Sequence, residues 1–132
     1  MRDIKFRGKR VDNGEFVYGY YVESKARHEG WEETGYWFSI YVDISDFEEP
    51  DHYQVIPETV GQYTGLPDMI STDIFEHDYM DSEEGLLEVF FIDGRFILMY
   101  ADTGTYRCEL NEANKILSVC GNKFSNPELL TQ

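Results

Sequence analysis

Apolar residues recur at every second position along this chain, in runs of strand length. Ile4 and Phe6 alternate with Lys5 and Arg7, and Phe16, Tyr18, Tyr20 and Val22 share one face of the next run. Tyr36, Phe38, Ile40 and Val42 repeat the pattern, with Trp37, Ser39, Tyr41 and Asp43 on the reverse. Side chains of a strand point alternately to opposite faces, so this spacing presents one apolar face of a sheet and scatters the same residues around a helix. Between such runs, Asp12-Asn13-Gly14 and Asp93-Gly94 supply residues that tolerate positive φ, which predicts tight hairpins. The second joins Leu87, Val89 and Phe91 to Phe96, Leu98 and Tyr100.

The remaining segments fill in around these. Gln62-Tyr63-Thr64, bracketed by Gly61, Gly65 and Pro67, reads as a short strand between turns. Residues 74–80 read as another, with Ile74, Glu76, Asp78 and Met80 on one face and Phe75, His77 and Tyr79 on the other. Residues 23–34 and 45–52 read as polar loops, and residues 109–115 fit a hairpin or one helical turn. Asn126 before Pro127 is an N-cap and first-turn pair for a single turn ending at Leu130. The expected fold is mainly β: short strands and hairpins forming a curved sheet or a small barrel-like fold, with at most a short C-terminal helical turn. At 132 residues one domain suffices, with a subdomain junction expected near residues 43–53.

Charge narrows the partners. Residues 28–94 hold eighteen aspartates and glutamates and no lysine or arginine, whereas residues 1–27 hold seven basic residues against four acids. With a formal net charge of -15, such a middle repels phosphate, so direct nucleic-acid binding is not expected. It favours a protein partner with a basic surface, met through the acidic loop that carries Asp46, Glu48 and Glu49. No apolar run approaches the ~20 residues needed to cross a bilayer as a helix. The charged start, Met1-Arg2-Asp3-Ile4-Lys5, lacks the apolar stretch of a signal peptide, so a cytoplasmic protein is expected. In that reducing compartment Cys108 and Cys120 are read as small, buried or half-buried residues and not as a disulfide.

No spacing nominates a reaction. Glu76-His77-Asp78 has the composition of a catalytic or metal cluster, yet on a strand His77 faces away from both carboxylates. His28, His52 and His77 form no metal-binding spacing, no calcium-loop order is present, and neither a cofactor nor a catalytic residue is assigned. The candidate ligand-binding groups are Gln62, Tyr63, Thr64, Glu76 and Asp78. Tyr63, Glu76 and Asp78 would serve an enzyme or binder for a small or nucleotide-like ligand if the fold brought them together.

A resemblance adds to this reading. The stretch V-I-P-E-T-V-G-Q-Y-T-G-L-P-D from Val55 to Asp68 and D-I-F-E-H-D from Asp73 to Asp78 resemble the YopX family of phage and prophage proteins. I-K-F-R-G-K from Ile4 to Lys9, E-F-V-Y-G from Glu15 to Gly19 and G-N-K-F-S-N-P-E-L-L from Gly121 to Leu130 extend the likeness nearly end to end, in the family's order. The resemblance implies a small, soluble, β-rich protein acting inside a bacterial cell, and it implies no reaction. Two departures stand out: His77 occupies the glycine of the family's I-Y-E-G-D-I, and Ser71-Thr72 replaces a glycine-containing turn. The leading expectation is a non-enzymatic binding or assembly module.

The basic strand from Arg2 to Arg10 and the acidic middle are complementary, and a terminal strand has edge groups that a second chain can pair. A homo-oligomer is therefore expected. Sedimentation at several protein concentrations checks it, and a monomer at every concentration means that the pairing stays within one chain.

Overall fold

In the computed structural model, residues 5–26, 35–42 and 51–131 are described. The acidic loop with Asp43, Asp46, Glu48 and Glu49 lies outside them, as do residues 27–34. The chain is mainly β and forms two compact units, one ending at Gln62 and the other beginning at Tyr63. The division falls within one strand, between Gln62 and Tyr63.

In the first unit, β1 (Phe6–Lys9), β2 (Phe16–Ala26), β3 (Gly35–Val42) and β4 (Asp51–Gln54) pair antiparallel in the order β4-β3-β2-β1. A 3-10 turn (Pro57–Thr59) then leads into β5 (Gly61–Pro67), whose Gly61 and Gln62 pair with Arg7 and Phe6. Ile40 and Val55 are fully buried, and Tyr21 lies between Phe6 and Phe38 with ring centroids 5.7 and 6.4 Å away. Gly19 sits in β2 where any Cβ would strike the Tyr41 carbonyl, so this close approach requires glycine. The Thr59 hydroxyl accepts the Lys9 N–H at 2.9 Å and donates to the Ile56 carbonyl at 2.6 Å, tying the turn to β1.

In the second unit the rest of β5 pairs with β6 (Asp73–Phe75), with a register shift between Tyr63 and Pro67. A five-stranded sheet follows in the order β10-β9-β8-β7-β11, built from β7 (Asp78–Ser82), β8 (Gly85–Ile92), β9 (Arg95–Tyr100), β10 (Tyr106–Glu109) and β11 (Val119–Asn122). Asp93 and Gly94 both take positive φ, 55° and 80°, as the two-residue β8–β9 hairpin requires. Leu87, Val89, Phe96 and Leu98, the residues whose alternation marked this hairpin, form the core with Ile74, Met80 and Leu110.

Several expectations are corrected. Neither sheet closes, so the small barrel does not form. Part of the polar segment 23–34 belongs to β2, which continues through Ala26 and is held by pairing with β3. Backbone ladder bonds do not depend on side-chain polarity, so polar residues conceal such a strand. β4 is likewise hidden in the predicted acidic loop, and β10, with no alternating apolar run, is placed by pairing to β9. Residues 74–80 are two strands with a turn at Glu76 and His77. A short helical turn α1 (Leu110–Ala113) does form, broken by Glu112 at φ 94°. The final turn is a 3-10 turn (Pro127–Thr131), but the Asn126 side-chain oxygen accepts the Asn122 N–H at 3.2 Å instead of capping it. Cys108 is half-buried as expected, whereas Cys120 is exposed.

Asp68 organises the loop after β5. Its carboxylate accepts the N–H groups of Ile70 at 2.9 Å, Thr72 at 2.8 Å and, from β11, Val119 at 2.9 Å. Burial alone would raise its pKa, but the three backbone donors outweigh burial and hold the carboxyl below the ordinary carboxylate value. Because the folded value is depressed, the stability it contributes is present above the unfolded pKa of about 3.9 and is lost as pH falls through the folded value. Asp68→Ala, which orphans the three donors, should lower stability by about 1–3 kcal/mol at neutral pH. Denaturant unfolding across pH checks this, and the difference from wild type should shrink below about pH 4.

Candidate functional site

The turn between β6 and β7 brings Glu76, His77 and Asp78 together. Its local cause is the backbone of His77, which has φ 71°. That conformation is costly for a side chain with a Cβ, by roughly 1–2 kcal/mol, and glycine avoids the cost. Ser71 has φ 68° in the preceding turn. His77 and Ser71, which stand in the two segments where the sequence departs from the pattern it resembles, both take positive φ, a conformation that glycine adopts without strain.

Neighbouring strands over-determine the His77 conformation. Its N–H donates to the Val89 carbonyl at 2.8 Å, and its own carbonyl accepts the Lys123 N–H at 3.1 Å. The Asp78 carboxylate, itself buried, accepts the Phe75 N–H at 2.8 Å across the turn. The imidazole lies edge-on to Phe90 and Phe124, with centroids 5.8 and 5.4 Å away. Its Nδ1 is 3.1 Å from Oε2 of Glu88, which is 4% exposed, and its Nε2 is 3.8 Å from Oε2 of Glu76. His77 therefore approaches Glu76 and Glu88 from opposite ring edges, correcting the expectation that it faces away from Glu76.

An imidazole fixed by a buried carboxylate can hold or pass a proton at Nε2. The two carboxylates sit on opposite edges of the ring, where they orient it and do not converge on a common ion. Among the described residues no group of three histidine, cysteine, aspartate or glutamate side chains is arranged to hold a metal. Glu88 also faces Tyr79, whose phenol pKa is pushed up first by burial and then by the charges of Glu88 and Glu128.

The predicted ligand-binding residues are dispersed. Gln62 belongs to the first unit. The Tyr63 hydroxyl donates to Asp73 at 3.1 Å, and the buried Thr64 hydroxyl donates to the Ile74 carbonyl at 2.8 Å. Asp78 holds the turn, and the Glu76 carboxylate lies 3.8 Å from the His77 ring. Sequence reasoning misses Glu88 and the turn because it reads residues 74–80 as one strand. Two signals bear on them: the glycine at position 77 in similar sequences, and a lone glutamate inside the apolar run Leu86-Leu87-Glu88-Val89-Phe90-Phe91.

Fold and site together define a small, mainly β protein of two antiparallel-sheet units. Its family is specific: the family model described as YopX protein matches residues 5–131, and the chain belongs to that family. A crystal structure of protein EF1440 from Enterococcus faecalis is similar in fold, with a TM-score of 0.52 and 21% identity over 98% of this chain and 99% of that one. No curated protein matches. Among the described residues no helix is long and apolar enough to cross a membrane.

The His77–Glu88 contact and the strained turn oppose each other in sign. His77→Gly relieves roughly 1–2 kcal/mol of backbone strain but removes the imidazole's hydrogen bond to the buried Glu88, a loss of about 1.5–3 kcal/mol, together with its packing on Phe90 and Phe124. The expected net result is destabilisation by about 1–2 kcal/mol. Adding Glu88→Gln to His77→Gly should recover part of it, as chemical denaturation of the three proteins will show.

Proposed function

We propose that this protein is a non-enzymatic binding module whose partner is a protein with a basic surface. One observation carries the reading: Tyr18, Tyr20 and Val22, on one face of β2, are 48%, 50% and 40% exposed. The opposite face of the same strand already supplies Tyr21 to the packing with Phe6 and Phe38. Folding needs one apolar face of β2, and this strand has two. Pairing places Tyr41 beside Tyr20, with its ring stacked on His52 at 5.0 Å, so the row continues across β3 to β4.

Exposed tyrosines in a row supply large contact area with few rotatable bonds, and their faces attract lysine and arginine. The net charge of -15 draws the same partners and repels phosphate. Asp46, Glu48 and Glu49 join the reading from the sequence, as carboxylates that steer such a partner. The resemblance to phage and prophage proteins supports an encounter inside a bacterial cell. The reading is favoured over a small-ligand site because Tyr63 and Asp78 are engaged in structural hydrogen bonds.

Capture from bacterial lysate tests it, using wild type, Tyr20→Ser with Val22→Ser, and a triple Asp46→Asn, Glu48→Gln, Glu49→Gln variant. A protein retained by wild type at physiological salt should be lost at 1 M, where the Debye length falls to about 3 Å. The tyrosine-row variant should weaken it by about tenfold. Recovery of nucleic acid itself, or of a partner indifferent to salt and to both variants, overturns the proposal.

A further inference from the structure

At one end of the five-stranded sheet the core of the second unit is left open. A cleft of about 330 Å³ lies between the β7–β8 hairpin, β10 and the segment after α1. Its floor is the fully buried Leu87 with Ala113 and Leu117, both packed against the core cluster. Cys108 completes the floor, and burial pushes its thiol up, so it presents a neutral, weakly polar surface. Ile116 stands at the lip with 74% of its surface exposed.

The lip is held in place. Glu112, at φ 94° and ψ -47°, occupies a sparsely populated region, and its N–H donates to the Asn114 side-chain oxygen at 3.0 Å. Asn114 is buried and donates its amide to the Pro67 carbonyl at 2.8 Å, and the Leu117 carbonyl accepts the Met69 N–H at 3.0 Å. The opposite rim is acidic. Glu84 accepts the Tyr100 hydroxyl at 2.7 Å and lies 3.2 Å from Nε of Arg107, and these two partners hold its carboxyl below the ordinary value. Glu83 beside it is exposed and makes no hydrogen bond or ion pair among the described residues. Arg107 therefore offsets one of the two carboxylates on this rim.

The geometry points to a peptide-binding site in which an extended partner segment places an apolar side chain in this cleft and an adjacent lysine or arginine on Glu83 and Glu84. The volume suits one or two side chains, at the lower limit of small-molecule pockets. Long cationic side chains lay their stems on apolar surface while the head stays at a wet, acidic rim. A peptide is favoured over a free amine because β10, which supplies Arg107 and Cys108, is the edge strand of its sheet and offers backbone groups to an added strand. This site lies in the other unit from the tyrosine row, and its test does not depend on that row.

The probe is a blocked tetrapeptide, acetyl-Leu-Arg-Leu-Arg-amide, titrated into isotopically labelled protein with backbone amide shifts as the readout. Saturable shifts confined to residues 82–85, 106–109 and 113–117 are expected. Replacing both leucines by glycine should weaken binding about tenfold or more, and Glu83→Gln should weaken it about two- to fivefold. Ala113→Leu, which fills the floor, should abolish it, while the exposed Glu83→Gln variant keeps the test decisive if the larger side chain disturbs folding. Absence of saturable shifts at millimolar peptide overturns the proposal. So does an equal response to the glycine-arginine peptide, or binding that neither variant changes.

Discussion

Three backbone N–H groups from two parts of the chain end on one carboxylate, that of Asp68. The loop after β5 would otherwise leave these donors short of partners beside a core that excludes water, and an unpaired buried donor costs about 1–3 kcal/mol. Because one donor belongs to Val119, the same carboxylate fixes where β11 begins. Nearby, Asn114 reaches the Pro67 carbonyl and Met69 reaches that of Leu117, so the loop, α1 and β11 are joined by polar bonds at the margin of the apolar core. Ile116 stays exposed because the residues on either side of it are tied down.

The turn around His77 shows the same logic at higher strain. A residue with a Cβ is held at positive φ by bonds to Val89 and Lys123, while its ring fills the space between two phenylalanines and meets a buried glutamate. The side chain recovers through Glu88 what the backbone loses. The structural value of His77 therefore depends on Glu88, and the two positions belong to one unit of stability.

Much of the fold is legible in the residues themselves. The β8–β9 hairpin follows from Asp93-Gly94 between alternating runs, and the buried members of those runs are the core. β1, β2 and β3 follow from the same period. β4 and β10 do not, because their residues neither alternate cleanly nor carry a core, and only pairing with β3 and β9 makes them strands. The candidate site is less legible. His77 and Glu76 are visible as a pair of side chains, but Glu88, eleven residues on from His77, joins them only because β7 and β8 pair and the chain turns at position 77.

Sequence by itself determined the β class, the hairpins marked by Asn-Gly and Asp-Gly, the acidic middle and the family, because each is written in local period, turn chemistry or composition. The tertiary structure alone decided which apolar face met the core. Alternation identifies two faces of β2 without saying which is covered, and it is Tyr21 that packs inward while Tyr18, Tyr20 and Val22 face solvent. The same holds for the cleft beside Leu87, whose walls come from three separate segments. Long-range pairing sets these choices, and a one-dimensional period carries no information about the partner against which a face is buried.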